Sequence, residues 1–136
     1  MAETAREYFE DVAEAVRQHR QAELILAFGQ PRAGDQGGSG CYAVDPVFSR
    51  LLSDDAARET MAATEEVIGD GLRVIDGLRR VYPGMAEVLE LRYIDLLSWR
   101  ETADAMHASV SSVRYYQDVI YKFVDAVGFA RIRELA

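Results

Sequence analysis

Apolar or small residues recur at alternating spacings of four and three in the middle of the chain, and this repeat constrains the fold more than any other feature. The repeat runs through Ala57, Met61, Thr64, Ile68, Gly71, Ile75, Leu78 and Tyr82. Such spacing places one stripe along a helix that packs lengthwise on its neighbours. It predicts a long helix that begins near residues 45–46 or at Ser53 and ends in the Tyr-Pro-Gly sequence at residues 82–84. Packing within one molecule and an intermolecular coiled coil are both open readings.

A second long helix is predicted before it. Residues 2–28 lack Gly and Pro and are rich in Ala, Glu, Arg and Gln, which favour helix. The apolar face of this helix is formed by Phe9, Val12, Val16, Ile25 and Leu26. Residues 29–46 are rich in Gly and Pro and predict a connector. The expected fold is all-α, with a long N-terminal helical hairpin or coiled coil over residues 1–82 and a second module over residues 83–136.

An isolated hairpin of this kind would leave part of its apolar stripe exposed, at Ile68, Ile75 and Leu78. Exposed stripes of this size commonly mark an interaction surface. Self-association through the long helices is therefore expected, and the protein is predicted to be a homo-oligomer.

Charge and composition exclude several classes of protein. The net charge of −8 argues against indiscriminate binding of polyanions. From residue 98 onward, however, five basic and five acidic side chains cancel, which permits DNA binding there. A single cysteine, Cys41, excludes an intrachain disulfide. The longest aliphatic run, residues 24–28, is far too short for a bilayer, and the acidic N-terminus does not resemble a signal peptide. These features predict a cytoplasmic protein with no membrane partner.

The C-terminal module begins with a short helix over residues 85–97, whose apolar face contains Val88, Leu89, Tyr93 and Leu96. Ser98 and Glu101 then have the spacing of a capping box, which predicts that a new helix starts after Ser98. Small side chains at Ala103 and Ala105 allow a close helix crossing. Trp99 is expected to fill the junction between this module and the long helices.

The sequence His-Ala-Ser at residues 107–109 breaks the pattern with about the length of the turn in a helix-turn-helix motif. Ser109 can cap a following helix over residues 110–124, whose apolar positions recur at spacings of three and four. The side chains expected near its exposed N-terminal half are Val110, Ser111, Ser112, Arg114, Tyr115, Gln117 and Asp118. In a helix-turn-helix, the start of this second helix faces base edges in the major groove.

The segment EVLELRYIDLLSWRETADAMHASVSSVRYYQDVIYKFV resembles region 4 of sigma-70-type factors. More narrowly, the chain looks like phage-encoded late-gene transcriptional regulators of the ArpU/RinA type, with PRAGDQGGSG…VDPVFSRL similar to their connector. The resemblance implies a sequence-specific DNA-binding transcriptional regulator of phage or prophage origin. Its implied partners are double-stranded promoter DNA and, as a second candidate, RNA polymerase. The sequence departs from the family pattern in the turn, where His107 and Ala108 replace a Gly and an aliphatic residue.

The family pattern places the base-facing positions on Val110, Ser111, Arg114 and Tyr115. Arg114 is expected to read guanine or hold a phosphate, although it can instead pair with Asp118 one turn on. Tyr115 is expected on a thymine methyl or a sugar, with Tyr116 in the core. Phosphate contacts are predicted for Ser111, Ser112, Arg100 and Lys122, against the alternative that these are ordinary helix-surface residues.

No sequence arrangement points to an enzyme. His19, His107 and Cys41 are too scattered to predict a zinc site, and no phosphate-binding loop or nucleophile motif is present. Neither a cofactor nor a metal is expected. Two further functions stay open: a phage packaging subunit similar to small terminases, and a sigma-like protein-interaction module that does not bind DNA.

Overall fold

The computed structural model describes residues 3–28 and 53–136, and every regular element in these two ranges is helical. The six helices are α1 Ala5–Phe28, α2 Asp54–Arg79, α3 Pro83–Leu89, α4 Trp99–Ala105, α5 Val110–Val127 and α6 Phe129–Leu135. The predicted all-α class is therefore confirmed. None of the described helices is long and apolar enough to cross a membrane. The predicted connector, residues 29–46, lies outside the described ranges.

The two long helices start where polar caps stand in the sequence. The Glu7 N–H donates to the Thr4 hydroxyl oxygen at 3.2 Å, at the start of α1. At the start of α2, the Ala56 N–H donates to the Ser53 hydroxyl oxygen at 3.1 Å. Both hydroxyls satisfy backbone donors that the first turn of a helix leaves unpaired. The predicted helix start at Ser53 is confirmed.

Two compact units divide the chain, and the smaller one consists of Ala15–Glu66. Its core is formed by Ala22, Ile25 and Ala57, with Leu26 and Met61 packed against them. A polar contact joins its two helical segments, since Nδ1 of His19 lies 3.1 Å from the hydroxyl of Thr64. Thr64 is a polar residue at a buried position of the α2 repeat, and its hydroxyl has a hydrogen-bond partner there.

The larger unit comprises Met1–Glu14 and Val67–Ala136, so its core contains side chains from both ends of the chain. Phe9, the largest of the fully buried side chains in the described ranges, stacks on Tyr121 with ring centroids 6.0 Å apart. Tyr93 lies 5.8 Å from Phe9 and accepts a 2.6 Å hydrogen bond from the Tyr121 hydroxyl. Burial and the neighbouring Tyr93 raise the pKa of Tyr121. The division into a helical coil over residues 1–82 and a module over residues 83–136 stays a prediction.

The apolar side chains of the α2 repeat face the core in the larger unit. Ile75 and Leu78 are fully buried in its core, and Ile68 is half-buried. The stripe that was expected to be exposed is thus largely covered by the chain itself, because the start of α1 and the C-terminal helices pack on it. The stripe consequently gives no support to self-association.

The prediction of one regular helix over residues 85–97 is wrong in its details. The α-helical part ends at Leu89, and a π-helical turn, Glu90–Ile94, follows it. The turn is closed by Leu96, which adopts a left-handed conformation with φ of 58°, and by the Leu97 N–H, which donates to the Leu91 carbonyl at 2.9 Å. A π-helical turn contains one residue more than an α-helical turn. A sequence pattern based on spacings of three and four does not reveal this extra residue.

A polar network ties the C-terminus to α2. The Arg133 guanidinium donates two hydrogen bonds of 2.8 Å to the Asp70 carboxylate, which also accepts a hydrogen bond from Tyr8. The hydrogen bond from Arg133 is the main reason that the pKa of Asp70 is lowered. Burial, together with the bond to Asp70, raises the pKa of Tyr8. The network therefore joins three segments that are distant in sequence.

We expect Gly77→Ala to destabilise the protein and Gly69→Ala to leave it as stable or more so. A Cβ at Gly77 would lie 2.0 Å from the backbone oxygen of Ile132, so α6 would have to move. A Cβ at Gly69 meets no atom within 4 Å. We expect a loss of roughly 1–3 kcal/mol for Gly77→Ala and a gain of up to about 1 kcal/mol for Gly69→Ala. Urea unfolding followed by circular dichroism measures both, and equal effects would contradict the close contact.

The charge state of Asp70 predicts a pH dependence. Its pKa is lowered in the folded protein, so its stabilising effect is present above its ordinary pKa near 4 and is lost as the pH falls through the folded value. Asp70→Asn should cost about 1 kcal/mol at pH 7, since the pair is partly exposed. The difference from the parent should shrink in unfolding experiments below pH 4. Asp76→Asn, at an exposed ion pair with Arg79 on the same helix, is the control and should have a smaller effect at pH 7.

Candidate nucleic-acid interface

The start of α4 is fixed by the predicted capping box. The Glu101 N–H donates to the Ser98 hydroxyl at 3.1 Å, and the Ser98 N–H donates to the Glu101 carboxylate at 3.0 Å. The hydrogen bond from the Ser98 backbone lowers the pKa of Glu101. The predicted start of a helix after Ser98 is confirmed. Because Glu101 is engaged in its own cap, its charge is held at the helix start.

A tight turn separates α4 from α5. His107 adopts a left-handed conformation with φ of 53°, and the Ala108 N–H reaches back to the Ala103 carbonyl at 2.9 Å. The Ser109 hydroxyl then accepts the Ser112 N–H at 3.1 Å and so caps α5. The predicted cap at Ser109 is confirmed.

Helices α4 and α5 share a small apolar cluster with α3. Val88, Ala103 and Val113 are its buried members. The half-buried side chains packed against them are Trp99, Met106, Ala108, Val110 and Tyr116. The prediction that Trp99 fills the junction between the module and the long helices is therefore wrong. Trp99 packs locally, because the capping box places the first residue of α4 directly beside this cluster.

The two faces of α5 differ sharply. Its buried side is formed by Val113, Gln117, Ile120, Tyr121 and Val124. Gln117 was expected on the surface, but only 6% of it is exposed, because it follows Val113 by one turn and lies on the buried side. The opposite side carries Ser111, Tyr115, Asp118 and Lys122, all exposed and spaced four, three and four apart. We call these four residues the α5 outer stripe.

Not every predicted contact residue lies on this stripe. Val110 is half-buried against the apolar cluster, and Ser112 is half-buried with its hydroxyl 2.9 Å from that of Ser109. Arg100 is exposed on α4, outside the helix that carries the stripe. The structure therefore brings Ser111, Tyr115 and Lys122 onto one surface, with Val110 and Ser112 turned partly inward.

Arg114 is exposed at the edge of the outer stripe. Its guanidinium carbon lies 5.3 Å from the centroid of the Trp99 ring. Among the ion pairs of the described residues, none joins Arg114 to Asp118, which was the alternative expected from their spacing. The contact of Arg114 is therefore with an aromatic face on the neighbouring helix.

Tyr116 is only partly in the core. It packs against the apolar cluster, but it also lines an open cleft of about 520 Å³. Residues 81–85 and 106–108 form the rest of the cleft wall. Tyr116 differs in this from Tyr115, of which 63% is exposed on the outer stripe.

The exposed charges of α4 and α5 nearly balance. Three basic side chains, Arg100, Arg114 and Lys122, stand against four acidic ones, Glu101, Asp104, Asp118 and Asp125, and all seven are exposed. Arg114 and Lys122 are about 12 Å apart along the helix axis, with Asp118 midway between them. These two helices therefore present no extended positive surface. In the described part of the chain, no group of three or more His, Cys, Asp and Glu is arranged to hold a metal ion.

Sequence reasoning missed the role of Arg92. Its Nη1 donates to the Leu97 carbonyl at 2.8 Å, and its guanidinium carbon lies 4.1 Å from the centroid of the Trp99 ring. Nothing in the spacing of Arg92 and Trp99 predicts this contact. It depends on the left-handed turn at Leu96, which folds the chain back toward the π-helical segment.

We expect His107→Gly to stabilise the protein. A left-handed conformation costs a residue with a Cβ roughly 1–2 kcal/mol, and part of this cost disappears with glycine. The gain in the free energy of unfolding should be about 0.5–1 kcal/mol in urea unfolding. His107→Ala is the matched control: it removes the imidazole but keeps the Cβ, so it should give no gain. A gain with alanine as large as with glycine would show that the turn is not strained.

The chain was compared with models of known protein families, with curated proteins and with solved structures, and no match was found. The resemblance to sigma-70 region 4 stays a prediction that rests on the motif residues quoted from the sequence.

Proposed function

We propose that this chain is a sequence-specific DNA-binding transcriptional regulator of phage or prophage origin, in which α4 and α5 form a helix-turn-helix motif and α5 enters the major groove. The observation that carries the proposal is the outer stripe of α5. This helix of 18 residues is anchored along one side and offers Ser111, Tyr115 and Lys122 on the other. A helix held from behind with a polar and aromatic free face has the form that fits the major groove.

The local geometry of α4 and α5 supports the same proposal. The capping box at Ser98 fixes the supporting helix, and the left-handed residue His107 makes a tight turn to Ser109. The cluster around Ala103 and Val113 then sets the packing of the two helices on each other. The first two turns of α5 are left accessible, which is where helix-turn-helix proteins make base contacts.

The proposal gives distinct roles to the exposed side chains. Arg114 reads a guanine, because the guanidinium fork matches the O6 and N7 acceptors of that base. Tyr115 packs on a thymine methyl or a sugar, and Ser111 holds a phosphate. Arg100 and Lys122 hold phosphates on either side of the groove. Val110 and Ser112 contribute by supporting the first turn of α5, since both are half-buried.

We further propose that α1 and α2 form the helical hairpin predicted from the sequence and that the protein self-associates, with RNA polymerase as a second partner. A regulator of this kind gains affinity and specificity from reading two half-sites. Sedimentation equilibrium measures the assembly: a dimer fits a regulator, and a ring of eight or more subunits fits a packaging subunit. A strict monomer at tens of micromolar would contradict self-association.

One observation favours a second function, a sigma-like protein-interaction module without DNA binding. The outer stripe carries no net charge, and Asp118 lies between the two basic residues of α5. Tyrosine is enriched in protein–protein interfaces, and such interfaces do not require a surface of one charge sign. DNA-binding experiments separate the two functions directly.

The DNA proposal predicts that Arg114→Ala weakens binding to the preferred duplex by about tenfold or more, because a bidentate contact with guanine is worth roughly 1–3 kcal/mol. The preferred duplex is obtained by selection from a random-sequence library with the purified parent protein. Binding titrations against this duplex and a scrambled duplex then measure the loss. Arg131→Ala removes an equal charge from the exposed surface of α6 and is the control, with little expected effect.

Arg100→Ala and Lys122→Ala should behave differently from Arg114→Ala. Phosphate contacts do not depend on sequence, so each variant should weaken binding to both duplexes alike. Each should also reduce the slope of log affinity against log salt by about one unit. If the parent shows no preference for the selected duplex over the scrambled one, DNA reading is excluded and the protein-interaction function takes its place.

A further inference from the structure

We infer that Trp99 is a positioning residue for Arg114: its indole face holds the guanidinium in place before DNA arrives, and Arg92 fixes the indole. This inference rests on the proposed DNA-reading function of α5 and adds a residue that touches no base itself. Three side chains from three separate segments meet at one aromatic ring. Arg92 comes from the π-helical turn, Trp99 from the start of α4 and Arg114 from α5.

The Arg92 side of this arrangement is rigid. Arg92 is half-buried, its guanidinium carbon lies 4.1 Å from the Trp99 ring centroid, and its Nη1 donates to the Leu97 carbonyl at 2.8 Å. That carbonyl belongs to the residue directly before the Ser98 cap, so Arg92 links the π-helical turn to the start of α4. Within the described residues, the buried Nε of Arg92 has no hydrogen-bond partner. The attraction to the indole face therefore contributes to holding this cation in place.

The indole itself cannot turn freely. Trp99 is half-buried against the cluster of Val88, Ala103 and Val113, and its backbone is the first residue of α4 behind the capping box. The ring thus has a fixed position on the surface, with two cations near it. An aromatic face carries partial negative charge, which attracts a guanidinium.

Arg114 is the exposed partner, and its guanidinium carbon lies 5.3 Å from the ring centroid. A guanidinium held by an aromatic face keeps the N–H groups at its edge free. An ion pair with Asp118 would occupy those same donors. Contact with Trp99 therefore restricts the side chain without blocking it, and part of the ordering that base contact requires is present in the free protein.

The first test uses the free protein and no DNA. The ring current of Trp99, the single tryptophan of the chain, should move the side-chain proton resonances of Arg114 upfield in NMR spectra. In Trp99→Leu these resonances should return to the positions of an unrestrained arginine. Arg131, exposed on α6, is the reference and should show the same resonances in both proteins. Unchanged Arg114 resonances in Trp99→Leu would overturn the inference.

The second test is a double-mutant cycle with the duplex selected by the parent protein. Trp99→Leu should weaken binding to that duplex by about threefold to fivefold, the worth of an exposed cation–π contact. In an Arg114→Ala background the same change should have no further effect, since the group that Trp99 positions is gone. In a Lys122→Ala background it should keep its full effect. A full effect of Trp99→Leu in the Arg114→Ala background would show a merely structural role.

Trp99→Phe guards against loss of folding in the leucine variant. It keeps a ring in the cluster with a weaker attraction for cations, so it should fall between the parent and Trp99→Leu in both tests. Circular dichroism melting of each variant establishes that it is folded. Failure of the inference and failure of the DNA function are distinguishable: a parent that prefers the selected duplex with no coupling between Trp99 and Arg114 overturns only the inference. A parent without any preference overturns both.

Discussion

The burial of Phe9 is the interaction on which the larger unit depends. Its ring stacks on Tyr121 of α5 and lies close to Tyr93 of the π-helical turn, and the hydroxyls of these two tyrosines are hydrogen-bonded to each other. A large aromatic side chain from the first turns of α1 thereby fills the space between C-terminal segments. The Ala5 N–H reinforces this contact, since it donates to the Asp125 carboxylate of α5 at 2.8 Å. The start of the chain thus holds α5 through the buried Tyr121 and, one turn further on, through the exposed Asp125.

The surroundings of the exposed side of α5 depend on the two turns that precede α4 and α5. Leu96 and His107 both adopt left-handed conformations, and each closes a helix by letting the next N–H reach back to an earlier carbonyl. Glycine is the residue that takes this conformation at low cost. At both helix ends a residue with a Cβ adopts this conformation, at a cost in conformational free energy. The turn at Leu96 also brings Arg92 to Trp99.

The near balance of charge across α4 and α5 bears directly on the DNA recognition that we propose for this surface. Proteins that bind through a broad positive surface gain affinity for every sequence, whereas this surface has acidic residues beside each basic one. A single well-oriented arginine then matters more, because discrimination between bases comes from hydrogen bonds at their edges. Restriction of Arg114 by an aromatic ring is consistent with a surface that relies on few contacts.

The sequence by itself determined the local structure. The Ser-x-x-Glu spacing at Ser98 indicated a helix start at the correct residue, Ser109 was correctly identified as a cap, and the repeat through Ile75 and Leu78 identified the apolar face of α2, although not that the chain itself covers this face. Caps and helical periodicity are interactions between near neighbours, so a single chain reveals them. Of the candidate site, the accessibility of Ser111, Arg114, Tyr115 and Lys122 also followed from periodicity.

Only the tertiary structure decided which distant residues meet. The packing of Phe9 on Tyr121 and the hydrogen bonds from Arg133 to Asp70 were not evident from spacing. The same holds for the two arginines at Trp99, whose approach depends on an inserted residue in the π-helical turn and on a left-handed leucine. Neither feature has a periodic signature, and contacts across long sequence separations depend on how whole helices pack. For that reason the sequence could identify Arg114 as a candidate reader but could not reveal what holds it.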